Sequence, residues 1–195
     1  MEKRVASIVL SSCVVIAWLG VVAPVAATVI SYDATLSGIT VPNASPATGF
    51  AQVDYDDVAR TLHVQANFSG LTGITTAAHI HGPTTVPGTG TAGVATTTPS
   101  FVGFPLGVTS GTYDNTLDLT LASSWNPSYI TANGGTTATA EAALAASMAA
   151  GTAYFNIHTT TFAGGEIRGF LTPVPEPTTL SLLVLGGMFL RSRKS

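Results

Sequence analysis

Apolar and polar residues alternate repeatedly between Val29 and Thr172. Ala51, Val53 and Tyr55 interleave with Gln52, Asp54 and Asp56. After Asp57-Val58-Ala59, Leu62, Val64, Ala66 and Phe68 interleave with Thr61, His63, Gln65 and Asn67. Successive strand side chains point to opposite faces, so this spacing predicts a hairpin with one buried and one wet face. Ala78 and Ile80 against His79 and His81 predict a further strand. So do Leu117, Leu119 and Leu121, and Phe155 and Ile157 against Tyr154, Asn156 and His158. Glu166 to Leu171 closes the series, and Gly82 to Pro99 is expected to be a long loop. Thr137 to Ala150 differs: it is rich in Ala, and Leu144 and Met148 lie four apart, which predicts one short helix covering the sheet. Many short strands plus one Ala-rich helix give an all-β fold. The expected architecture is an antiparallel β-sandwich or Greek-key barrel, immunoglobulin-like or superoxide-dismutase-like.

The two ends break this pattern. Lys3 and Arg4 precede an apolar run from Val5 to Val22, then Pro24 and the small residues Val25-Ala26-Ala27. This is the order of a secretory signal peptide, residues 1–27, cut by signal peptidase between Ala27 and Thr28. The alternatives are an uncleaved membrane anchor and a lipidated start at Cys13, although most of the apolar run follows that cysteine. Cys13 is the chain's single cysteine, so the segment after Ala27 has no thiol, disulfide or Cys-based metal site.

At the other end, Val174-Pro175-Glu176-Pro177 leads into an apolar run from Leu180 to Leu190 and then Arg191-Ser192-Arg193-Lys194-Ser195. A basic cluster after an apolar helix is held on the cytoplasmic side, and the run is short for a spanning helix. Motif, helix and basic end, in residues 173–195, resemble a PEP-CTERM sorting signal. The resemblance implies recognition by an exosortase-type protease, cleavage near Glu176, and a cell surface or extracellular matrix destination in a Gram-negative bacterium that makes exopolysaccharide. An ordinary membrane anchor is the alternative.

Charge narrows the partners. From Thr28 to Pro177 the basic residues are Arg60 and Arg168, against nine Asp and Glu, a net charge of −7. Such a segment cannot neutralise a phosphate backbone, which excludes nucleic acid. Cations and neutral glycans remain compatible partners. Asp56 and Asp57 are the candidate calcium ligands, although paired acids commonly just solvate a turn, and His63 is expected to be solvated.

Three segments of residues 28–172 carry further chemistry: Gly70-Leu71-Thr72 leading to Ala77-Ala78-His79-Ile80-His81-Gly82-Pro83; Gly151 to Thr159; and Gly164-Gly165-Glu166-Ile167-Arg168-Gly169. Together with Leu36-Ser37-Gly38 they resemble a CHRD domain, the chordin-type module of exported proteins. The resemblance implies fold and location more than mechanism. Strand parity puts His79 and His81 on one face, Asn156 and His158 on one face, and Glu166 and Arg168 on one face. With the strands as neighbours, three imidazoles and a Glu166–Arg168 ion pair are expected on one contiguous polar surface, either as a hydrogen-bonded clasp on the sheet edges and the long loop or as a metal site. Neutral imidazoles suit copper or zinc, and Asn156, Glu166 or Arg168 could support them. The strand-borne His-x-His is similar to that of copper/zinc superoxide dismutases, without ligands for a second metal. The pattern contains no Ser-His-Asp spacing, phosphate loop or catalytic carboxylate pair. The expectation is therefore a non-enzymatic surface or matrix interaction protein without a cofactor. A copper or zinc protein using His79, His81 and His158 is the alternative, with dismutase-like redox activity as its enzymatic form.

Overall fold

The computed structural model describes residues 29–41 and 43–175. Ala27, Thr28, Glu176 and Pro177 lie outside these residues, and with them the expected cleavage site and the second half of the expected sorting motif. Eight strands form the all-β fold: β1 (Val29–Ser37), β2 (Thr48–Asp56), β3 (Thr61–Ser69), β4 (Thr75–His81), β5 (Gly111–Asp118), β6 (Tyr154–Thr159), β7 (Ile167–Phe170) and β8 (Thr172–Pro173). They build one antiparallel sheet in the order β4-β6-β7-β1-β2-β3-β5, with β8 also paired to β1, and this sheet curls into a half-barrel.

The inward parity is the one the alternation predicts. Tyr32, Ala34 and Leu36 of β1, Val53 of β2, Leu62 and Val64 of β3, and Ile80, Phe155, Ile157 and Ile167 share one core. β2 and β3 pair in register from Thr48↔Ser69 to Asp56↔Thr61. Asp56 makes their turn, its carboxylate accepting from the N–H groups of Val58 (2.9 Å) and Ala59 (2.7 Å). It is therefore a turn cap, and the calcium expectation there has no structural support. His63 is not merely solvated: its Nε2 lies 2.8 Å from the Asp114 carboxylate.

Helix α2 (Thr137–Ala149) starts on a reciprocal cap between Thr136 and Thr139 and buries Ala140, Leu144 and Met148 against the core. A second helix, α1 (Pro127–Ala132), was not expected. Its start is written in Asn126-Pro127, an N-cap side chain bonded to the Ser128 N–H and a proline at the first helical position. Leu121 was expected on a strand face but is exposed. β5 ends at Asp118, whose carboxylate instead caps a turn at Thr120.

The loop after β4 runs to Ser110, further than expected, and it covers an edge. Outer backbone groups of β4 bond to it: Ala78 N–H to Ser100 Oγ (3.0 Å), Ile80 N–H to Thr96 Oγ1 (3.0 Å), and the Ile80 carbonyl accepts from Ala95 N–H (2.9 Å). Edge strands otherwise invite foreign pairing. This covering also brings the loop's carbonyls over the polar face of β4. At the chain's other end Val174 N–H bonds to Ser31 (2.8 Å) as the backbone leaves the sheet. Among the described residues no helix is long and apolar enough to cross a membrane.

Candidate metal centre

β4 and β6 are neighbours, with His79 opposite Asn156, Ala77 opposite His158 and His81 opposite Tyr154. Ala78, Ile80, Phe155 and Ile157 fill the core, so the three histidines project together from the other face. One nitrogen from each of His79, His81 and His158 lies within 4.8 Å of the others. Among the described residues this is the one trio of potential metal-ligating side chains so placed.

Each ring is fixed by a backbone carbonyl from a loop. His79 Nε2 lies 2.7 Å from Pro99 O, His81 Nδ1 2.9 Å from Ala92 O, and His158 Nδ1 2.8 Å from Ala163 O. A carbonyl only accepts, so each of these nitrogens carries the proton. The opposite nitrogens, His79 Nδ1, His81 Nε2 and His158 Nε2, then hold lone pairs in the neutral rings. Burial is the main force keeping them neutral, pulling His79 and His81 down to about 4 and His158 below its usual range. The carbonyl bonds oppose this and are outweighed.

The lone pairs are poorly partnered. His81 Nε2 and His158 Nε2 face each other at 3.4 Å. The Asn156 amide nitrogen stands 3.2 Å from His158 Nε2. His79 Nδ1 is buried with no hydrogen-bond partner. Two nitrogens bound to one metal at about 2.0–2.1 Å with tetrahedral angles stand roughly 3.3–3.4 Å apart, so the His81–His158 spacing is that of a ligand pair.

Tyr154 and Arg168 border the trio. The Tyr154 ring stacks on His81 at 4.9 Å and 11°, and the Arg168 guanidinium lies 5.0 Å over the same ring. Arg168 Nε also donates to Thr40 O at 2.8 Å. Tyr154 was not singled out from the sequence, although its parity with Asn156 and His158 places it there.

Glu166 turns elsewhere. It shares a strand face with Arg168, but its carboxylate accepts from Ser45 Oγ (2.7 Å), Thr72 N–H (2.6 Å) and Oγ1 (2.9 Å), Gly73 N–H (3.3 Å) and Thr159 Oγ1 (2.7 Å). It touches neither Arg168 nor a histidine, so the carboxylate expected to orient a ligand is replaced by backbone carbonyls. Glu166 instead ties together the β1–β2 loop, the β3–β4 loop and β6. Burial opposes its ionisation, but the bonds from Thr72, Ser45 and Thr159 win and hold it below the usual glutamate range. Gly165, at φ +124°, lets the chain pass beside Asn156, whose amide a Cβ there would strike.

A curled antiparallel sheet with polar groups gathered under its edge loops defines a small β-domain. The CHRD domain model matches residues 32–171, and the chain belongs to that family. The family is compatible with an extracellular or envelope protein. No curated protein and no solved structure matches the chain significantly.

Proposed function

We propose that this is an exported envelope or matrix protein whose CHRD domain binds one copper or zinc ion on His79, His81 and His158. The observation that carries the metal reading is the cluster of three imidazoles, one nitrogen of each within 4.8 Å of the others and His81 Nε2 and His158 Nε2 3.4 Å apart, each ring held by a backbone carbonyl. Outer bonds of this kind orient metal-ligating histidines, and burial keeps the rings in the neutral form a metal requires. Imidazole nitrogens suit copper and zinc, with copper(II) the stronger binder at a given site. The location rests on residues 1–27 and on Val174 to Ser195. These would be handled by signal peptidase and an exosortase-type protease, at the cell surface or in an exopolysaccharide matrix.

A second reading has its own support: the carbonyl bonds of the histidines join three loop positions to β4 and β6, as a purely structural clasp would. Titration of the exported protein with copper(II) and with zinc, followed by calorimetry and metal analysis, separates the two. The metal reading expects one equivalent bound saturably, and none in His81→Ala with the fold intact. No saturable uptake by the unaltered protein would leave the clasp.

A further inference from the structure

We propose that the metal's remaining coordination position takes a small anion, attracted by Arg168 and hydrogen-bonded by Asn156. This rests on the metal reading above and names the ligand class of the same site.

Charge is the first argument. Three neutral imidazoles leave a divalent ion's two positive charges uncompensated, and buried charge is costly unless matched. Among the described residues no carboxylate joins the cluster, and Glu166, the acid nearest in sequence to Arg168, is committed to five uncharged donor groups. Arg168 adds a further positive charge. Among the described residues it forms no salt bridge, whereas Arg60 is paired with Glu141. Its guanidinium lies over Tyr154, whose ring lies over His81, so it stands no more than two ring-stacking separations from a ligand.

Hydrogen bonding is the second argument. Asn156 is buried, and its amide nitrogen has two hydrogens: one meets Gly164 O (3.2 Å), the other points at His158 Nε2 (3.2 Å). A metal on His158 takes that lone pair and frees the second N–H beside the metal. The freed donor then needs an acceptor, and three nitrogen ligands leave a fourth tetrahedral position open. An anion on the metal would offset the metal's charge, accept from the freed amide and lie in the attractive field of the guanidinium.

The test loads the protein with copper(II) and titrates it with azide, following the ligand-to-metal absorption band and electron paramagnetic resonance. The expected result is saturable azide binding that weakens as a non-coordinating salt is added. Affinity should be about tenfold lower in Arg168→Gln and largely restored in Arg168→Lys, with copper stoichiometry unchanged. If Arg168→Gln does not fold, the salt dependence of the unaltered protein and the Arg168→Lys affinity decide. Copper uptake without azide binding, azide binding indifferent to salt, or equal affinity in folded Arg168→Gln overturns the inference and leaves the metal site standing. A protein that takes up no copper removes the metal reading itself.

Discussion

His81 and His158 face each other through Nε2 atoms 3.4 Å apart, while each spends its Nδ1 proton on a backbone carbonyl. Two lone pairs so placed repel; the Asn156 N–H, 3.2 Å from His158 Nε2, partners one of them, and a cation between them would relieve the rest. A shared proton would serve, but burial lowers the basicity of both rings. The proposed metal ion would resolve the conflict and, by binding the folded form alone, would stabilise it. At free metal about 100 times Kd the gain is about 2.7 kcal/mol. The expected result is a melting temperature raised by copper(II) or zinc and returned to its starting value by a chelator. An unchanged melting curve in saturating metal would sink the metal site.

Glu166 is the charged knot of the domain, and its loss should be structural. Glu166→Gln keeps the volume but removes the charge and turns one acceptor into a donor facing donors. A cost of about 2–4 kcal/mol is expected in urea unfolding. The pH dependence follows from its lowered ionisation range. The stabilisation is fully present above the ordinary glutamate range and is lost as pH falls through the folded-state value. Stability measured from neutral pH downward should therefore decline less in Glu166→Gln than in the unaltered chain. Parallel declines would show that the carboxylate contributes nothing as a charge.

Glu141 links helix α2 to the β2–β3 turn. It accepts from Arg60 Nε at 2.7 Å and from Tyr55 Oη at 3.1 Å. Arg60 is partly exposed, which limits the worth of the ion pair, but Glu141 is nearly covered. Glu141→Ala should cost about 1–3 kcal/mol, and Tyr55→Phe about 1 kcal/mol. The double variant should cost less than the sum, because the two share a bond. Full additivity in a denaturation cycle would argue against that shared bond. Azide and copper binding should be unaffected, since this link involves none of the proposed metal ligands.

The strand faces and the histidine trio were legible because a period of two assigns every side chain to a face. His79, His81, Asn156 and His158 needed only β4 and β6 to be neighbours. Periodicity gives the face of a strand but not its partner, so the single curled sheet and its order could not be read from it. The anchors of the site were hidden for another reason: Ala92, Pro99 and Ala163 act through backbone carbonyls, which leave no mark in side-chain chemistry. Glu166 was visible as a polar residue beside Arg168, yet its direction is set by donors on the loops carrying Ser45 and Thr72 and on Thr159. Helix α1 was legible in Asn126-Pro127-Ser128 but too short to show a helical period.

The proposed sorting role of residues 173–195 is open to a direct test. Val174 leaves the sheet bonded to Ser31, and Pro175-Glu176-Pro177 then precedes the apolar run. If a protease reads this motif, Pro175→Ala with Glu176→Ala should hold the chain in the inner membrane. Fractionation of cells would check this, together with an intact mass showing Thr28 as the first residue of the released form. Release of the double variant in normal amounts would show that the motif is only a linker.

Gly165 joins the glycine-rich loop to the proposed metal site, which makes it a sensitive point. Its φ of +124° is one that residues with a Cβ rarely adopt, and a Cβ there would strike the Asn156 amide. Gly165→Ala therefore strains the backbone and pushes Asn156 from its place between Gly164 O and His158. A destabilisation of roughly 2 kcal/mol or more is expected. Asn156 is an outer partner of His158, so copper affinity should fall about tenfold. Gly164→Ala is the control, because nothing lies near a Cβ at that position. It should lose little in either measurement. Equal behaviour of the two variants would mean that the loop does not position Asn156 for His158.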